Sequence, residues 1–334
     1  MSNPLLEPWP GPFGGVPPWD QVTPDLFAEA FEAAIAEEQR MVAAIAANPA
    51  PPDFANTVEA LQRVDELKDR VQRVFNVLRL NTSTEEYRAL DREWQPRLAE
   101  ASDGVTFFPG LFERIDVVYR GLPQTALGPE QSRLVTVVWE DFVHAGARLG
   151  SAERTRLSSI NRRLAVLYAE FRARVLAAED TWTHLTDEAD LAGLPPASVA
   201  SAAAAARERS LPGWIVLNTR SSVDPFLTFA ARRTLREQVW RRFKRRGDEG
   251  DANDTNATIT TIVALRAERA RLLGYASHAH WQMSDSMARH PEHARRLLVE
   301  VWEAARRKVR EEVEAMQAIA AAEDPALRIE PWDY

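Results

Sequence analysis

The residues best suited to chemistry are six histidines, four of them grouped as His278-Ala279-His280 and His290-Pro291-Glu292-His293. Grouped imidazoles invite a metal reading. A zinc site on one helix wants two imidazoles at i and i+4, so that both reach one ion, with a third ligand from elsewhere. Neither group has that spacing. His278 and His280 fall on different faces of a helix. His290 and His293 flank Pro291, which suits a helix start with His290 near the N-cap. All four are expected to be structural or solvent-exposed, and His144 and His184, standing alone, to pack or cap. No catalytic, cofactor-binding or metal-ligating residue is assigned.

Two charged stretches are the next candidates. Arg232, Arg233, Arg236, Arg241, Arg242, Lys244, Arg245 and Arg246 form a basic run that could face nucleic acid. They crowd toward a helix C-terminus, where cations offset the macrodipole, and Gly247 supplies a cap. Asp248, Glu249, Asp251 and Asp254 follow at once and neutralise the field, so a nucleic-acid partner is not expected. The acidic stretch has oxygen atoms enough for calcium but lacks the alternating ligand positions and closing glutamate of an EF-hand loop. Asn253 or Asp254 as a helix N-cap explains it more simply. The chain has no Gly-rich phosphate loop, no G-x-S-x-G and no H-E-x-x-H.

Apolar residues at helical spacing dominate the elements that would position such groups. The first twenty residues are the exception, because their prolines and glycines exclude a helix. They read as an extended arm anchored by Leu5, Leu6, Trp9, Phe13 and Trp19. A first helix is expected from the Thr23 N-cap and Pro24 to about Ala47. A second is expected to begin near Asn56-Thr57 and to carry Val58, Leu61, Val64, Leu67, Val71, Val74 and Leu78 on one stripe. Further helices are expected at about 83–101, 109–120, 128–146, 151–179, 196–209, 226–246, 255–273, 276–288 and 291–323. Trp182–Leu185 and Trp214–Asn218 read as a small hairpin-like sheet. In the last helix, Leu298, Val301, Trp302, Ala305, Val309, Val313 and Met316 form a stripe expected to face the core.

Composition narrows the class. The chain has 334 residues, 45% of them hydrophobic and 27% charged, with a net charge of −8, as in an ordinary soluble protein of one or two domains. It has no cysteine, which excludes disulfides, thiolate metal sites and cysteine nucleophiles. No apolar run is long enough for a membrane span, and Met1–Leu5 lacks the pattern of a secretory signal. A cytoplasmic protein with no membrane partner is expected.

Beside these local readings, the succession of blocks resembles the N-terminal half of the thimet oligopeptidase family of zinc metallopeptidases, in its bacterial peptidyl-dipeptidase and oligopeptidase branch. The blocks run in order along nearly the whole chain. They begin with Asn3-Pro4-Leu5-Leu6, Pro12-Phe13-Gly14, Ala46-Ala47-Asn48-Pro49, Pro51–Thr57 and Arg73-Val74-Phe75. Asp141–Ala147, Thr186–Pro195, Leu235-Arg236-Glu237, Asn253-Asp254-Thr255, Leu265–Glu268 and Leu272–Tyr275 follow. Met287-Ala288, Pro291 and Pro331-Trp332-Asp333 complete the series.

The resemblance implies an all-α, neurolysin-like peptidase lobe with a small β-hairpin, lacking the zinc-binding half. Residues 1–224 would be its N-terminal helical region and 225–334 the truncated start of the catalytic domain. In the family, zinc is held by an H-E-x-x-H helix and a downstream glutamate, none of which this chain matches. No zinc is therefore expected to bind here, and the chain alone is expected to be inactive. The partners implied are short peptides, with a separately encoded catalytic half or a second copy of the chain. The rival reading is a non-catalytic helical peptide-binding or scaffold protein. The C-terminal third, Trp332 and Tyr334 included, is expected to expose more apolar area than a complete monomer tolerates, marking a missing continuation.

Overall fold

The computed structural model of the chain describes residues 3–12, 15–82 and 84–333. It is all-α with one small antiparallel sheet. Contacts divide it into two compact units, Met1–Glu170 with Ile262–Trp281, and Phe171–Thr261 with Gln282–Tyr334. Among the described residues no helix is long and apolar enough to cross a membrane.

The first unit is organised by α1, Leu26–Ala46. Its buried residues, Phe27, Ala30, Phe31, Ala34, Glu38, Val42 and Ile45, recur every three or four positions and so form one stripe. The N-terminal part of that stripe enters a core with Val71, Val74 and Phe75 of α2, Glu66–Asn81, and Tyr87, Trp94 and Leu98 of α3, Glu85–Thr106. Phe31 meets Phe75 edge-on at 5.4 Å and Trp94 at 5.1 Å. The C-terminal part, Val42 and Ile45, enters a second core with Leu111, Ile115 and Val118 of α4, Leu111–Gly121, and Val135 and Val138 of α5, Pro129–His144. The N-terminal arm docks on the first of these cores. Leu5 is fully buried there, Leu6 and Trp9 pack at its edge, and the Arg70 guanidinium donates to Leu5 O and lies over the Trp9 ring. Trp19 is 44% exposed, so it does not anchor the arm as expected, and Phe13 lies outside the described residues.

Five expected helices differ in outline, among them the one expected over 83–101, which runs to Thr106, and the one expected over 276–288, which ends at Met283. Thr23 and Pro24 form a turn ahead of α1, which starts at Leu26. The helix expected from Asn56 to Leu78 is broken. A π-helical turn, Phe54–Glu59, opens with a capping box between Asp53 and Asn56, and turns at 62–65 separate it from α2. Val58, Leu61 and Val64 thereby join the second core while Val71 and Val74 join the first, which one straight helix would not allow. Arg114 fixes the turn by donating to Asn48 O at 2.8 Å and Asn56 Oδ1 at 2.8 Å.

The long helix α6, Ser151–Glu179, and α10, Asn256–Leu272, each contribute to both units. In the first unit Ile160, Leu164 and Leu167 pack against Ile262, and Arg156 pairs with Glu268 at 2.6 Å. In the second unit Arg174 donates to Asp254 O at 2.7 Å.

The second unit holds the expected sheet. Strand β1, Trp182–Leu185, runs antiparallel to β2, Trp214–Leu217, and α7, Pro196–Glu208, connects them. The helix expected over 226–246 is again two: α8, Arg220–Phe229, with Pro225 inside it, and α9, Arg233–Lys244. The break is held from outside, since Ala231 N donates to Ala192 O at 2.8 Å and Arg236 Nη1 donates to Ala230 O at 2.7 Å. Leu185, Val216, Val223, Phe226 and Val239 form the core here. Short α11, His278–Met283, and long α12, Pro291–Glu323, complete the chain. The expected boundary at 224/225 falls within α8.

Replacing Phe31 by Ala removes the ring that contacts both Phe75 and Trp94. Urea unfolding should show a loss of about 3–5 kcal/mol. A loss under about 1 kcal/mol would contradict the central place given to α1.

Candidate functional site

The histidines do not assemble. His278 and His280 belong to α11. Burial lowers the pKa of His278, and the charges of Arg266 and Arg269 lower it further. Its Nδ1 is buried without a hydrogen-bond partner. His280 Nδ1 lies 2.8 Å from Ser277 Oγ. His144 stacks on Trp281 with ring centres 4.6 Å apart, while the Arg269 guanidinium lies 4.3 Å from the Trp281 ring. Tyr275 and Trp281 also hydrogen-bond His144, the first through Nδ1 and the second through the carbonyl. His184 on β1 donates from Nε2 to Pro212 O at 2.7 Å. The late pair is exposed, with ring centres 5.5 Å apart and ring planes at 89°, and His293 Nδ1 donates to Ala288 O.

This donor set does not fit the zinc that the resemblance implies. Zinc needs three or four ligand atoms about 2 Å from one point. Among the described residues no group of three or more His, Asp or Glu side chains could hold a metal ion.

The basic run is built into the fold instead. Arg233 and Arg236 both grip Asp333. Arg233 donates to Oδ2 at 2.7 Å, and Arg236 donates to Oδ1 at 2.9 Å and to Trp332 O at 3.0 Å. Burial pushes the Asp333 carboxyl up, but the hydrogen bonds from Arg233, Arg236 and Glu330 N outweigh it and leave the pKa lowered. The clamp seats Trp332, only 7% exposed, edge-on to Trp240 at 5.5 Å and beneath the Arg241 guanidinium. The expectation of an exposed Trp332 is thus corrected. The apolar ring finds Trp240 on α9, and two arginines anchor the residue after it. Tyr334 lies outside the described residues. Arg232 pairs with Asp190, Arg241 with Glu237, Arg246 with Glu179, and Arg242 donates to Trp182 O.

The acidic loop likewise serves its own backbone. Asp254 accepts from Asn256 N at 2.9 Å and from Gly250 N at 3.1 Å, which lowers its pKa. Asp248 accepts from Asn256 Nδ2, and Thr255 Oγ1 donates to Gly247 O. The carboxylates shape the turn into α10.

One feature escaped the sequence reading, and a second was expected only in outline. Glu38 of α1 and Lys68 of α2 form an ion pair almost wholly out of solvent. Burial pushes the Glu38 carboxyl up against the pull of the ammonium. The second feature is the stripe of α12, expected to face the core within a C-terminal third that leaves apolar area exposed. Leu298 is 68% exposed, Trp302 62% and Val309 53%, because no other described element covers this side of the helix; Val313 and Met316 alone are half-buried.

Comparison with known proteins adds what geometry leaves open. Residues 226–334 match the model of peptidase family M3. The chain is 34% identical over 95% of its length to the dipeptidyl carboxypeptidase of Escherichia coli, of which it covers 47%. It is 32% identical over its full length to the dipeptidyl carboxypeptidase of Salmonella typhimurium and 28% identical to the oligopeptidase A of that organism, covering 49% of each. The chain therefore spans about half the length of the curated relatives it matches.

Two outcomes follow. Asp333→Asn weakens the clamp, so amides of 327–333 should lose hydrogen-exchange protection at neutral pH while α9 keeps its own. In the parent chain the same loss should appear only in acid, because a depressed carboxylate stabilises above its ordinary range and stops doing so as pH falls through its folded value. Unchanged protection in the variant would contradict the clamp. Metal analysis of chelator-washed chain re-equilibrated with zinc should find far less than one ion per chain; one tightly held ion would restore a ligand role to the late histidines.

Proposed function

The chain belongs to peptidase family M3, and on that premise we propose that it is one part of a zinc-dependent metallopeptidase of the peptidyl-dipeptidase or oligopeptidase type, acting on short peptides in the cytoplasm. One observation carries this reading. The chain aligns along nearly its whole length with dipeptidyl carboxypeptidases and an oligopeptidase A, yet spans only half of each and contains no H-E-x-x-H. Residues 1–224 then form the N-terminal helical region and 225–334 the opening of the catalytic domain. The match to the family model, which begins at 226, supports that division.

In this reading no step of hydrolysis belongs to a residue of this chain. When bound, zinc would supply an activated water and polarise the scissile carbonyl, held by groups of the remaining portion of the enzyme. The role of this chain is framework. Its helices are locked by cores and desolvated ion pairs, and its side chains are engaged with one another rather than poised around a reacting atom. A free-standing scaffold, the alternative, is disfavoured by the open apolar side of α12, since complete monomers rarely leave contiguous apolar surface uncovered.

The purified chain should not cleave an N-blocked short peptide above the uncatalysed background, with or without added zinc. Chelator-sensitive turnover by the chain alone would overturn this assignment.

A further inference from the structure

A cleft of about 340 Å³ lies wholly within the first unit, between the segment 61–65 ahead of α2 and the helices α3 and α5. Leu61, Val64, Leu134 and Phe142 give it apolar walls. Polar groups converge on it from four sides. Glu38 reaches it from α1, Lys68 from α2, Ser102 from α3 and Asp141 from α5, with Asp65 beside Lys68. The volume is that of a small-molecule site, and apolar walls with a few convergent polar groups are the usual lining of one.

The fold leaves part of this polar set unmet. The Lys68 ammonium holds Oε1 of Glu38, whose side chain is only 2% exposed. The other oxygen, Oε2, is buried with no hydrogen-bond partner among the described residues. A buried acceptor without a donor costs free energy, and most such atoms in folded proteins have one. Asp65 is also unspent on its own helix, since it makes no side-chain capping bond at the start of α2. Burial pushes the Glu38 carboxyl up, the Lys68 ammonium pulls it down, and the charge of Asp65 pushes it up again, so the two carboxylates lie near enough to repel.

The balance of charge sets the sign of a ligand. The carboxylates of Glu38, Asp65 and Asp141 outnumber the one ammonium of Lys68 in the lining. Among the described residues no group of three or more His, Asp or Glu side chains could hold a metal ion, so a bare cation has no seat here. An organic cation does. Its N–H donors suit the carboxylates, and its carbon body suits the walls.

We propose that this cleft binds a small amphipathic primary amine in its ammonium form, with the head between Glu38 and Asp65 and the body against Leu61, Val64, Leu134 and Phe142. The proposal stands on the cleft alone and does not depend on the peptidase reading.

The test uses the full chain and three probes that share one body: phenethylammonium, phenethyl alcohol and phenylacetate. Titration calorimetry should show the cation binding about tenfold or more tighter than the alcohol, the advantage of charge-assisted hydrogen bonds, and no binding of the anion. Asp65→Asn should weaken the cation several-fold and leave the alcohol unchanged. Asp65 is exposed, and unchanged thermal melting would show that this variant folds. The double variant Glu38→Leu with Lys68→Met removes both buried charges together, so neither is stranded, and should cancel the preference for the cation. Equal binding of cation and alcohol, preference for the anion, or no effect of Asp65→Asn would overturn the proposal. So would a failure of the cation to bind at millimolar concentration, which would leave the cleft to water.

Discussion

A charge taken out of water must keep its partner, and this constraint organises the chain. Glu38 sits on the apolar stripe of α1 between Phe31, which serves one core, and Val42, which serves the other. Its partner Lys68 lies on α2 beside Val71. The pair therefore pins α1 to α2 where the two cores meet. It is not a source of great net stability, because desolvation cancels much of the Coulombic gain. Its force lies in the penalty for misplacement. A register slip of either helix would strand one charge in an apolar interior, at a cost on the order of 3–5 kcal/mol. Asp333 acts by the same rule in the second unit, where its side chain is 6% exposed and two guanidinium groups hold it.

The functional reading follows from how fully these groups are engaged. The arginines that could have met phosphate hold Asp333, Asp190, Glu179 and main-chain carbonyls. Aspartates that could have met calcium hold backbone N–H groups. The imidazoles stack, donate to carbonyls or lie among cations. Polar groups so engaged hold the elements of this chain to one another. On α12 the apolar side chains of Leu298, Trp302 and Val309 stay exposed.

Much of this was legible in the residues. Helical spacing located α6 and α12 nearly to their ends, and β-branched and aromatic runs bounded by proline and glycine located both strands. Boundaries failed where tertiary contacts overrule periodicity. The break before α2 serves two cores at once, and the break between α8 and α9 is held by Ala192, far away in sequence. The burial of Trp332 is not legible in the sequence, because adjacency says nothing of Trp240 and Arg236 folding over it. The ion pair left a trace that went unread: Glu38 lies four residues from both Ala34 and Val42, and Lys68 four from Val64 and three from Val71, each on an apolar stripe. A charge in such a place calls for an opposite charge on the facing helix. Spacing alone could not separate a stripe facing the core from one left open, so which residues of α12 stay exposed required the fold.

The claim that the charges of this chain serve its structure is tested most directly by a double-mutant cycle on Arg236 and Asp333. Unfolding free energies of the parent chain, Arg236→Ala, Asp333→Ala and the double variant give the coupling between the two positions. The account predicts a coupling of at least about 1 kcal/mol, because each side chain desolvates the other and Arg236 also holds Trp332 O. Additive losses, within about 0.5 kcal/mol, would mean that the pair only touches, and would return the basic run to the list of surfaces awaiting a partner.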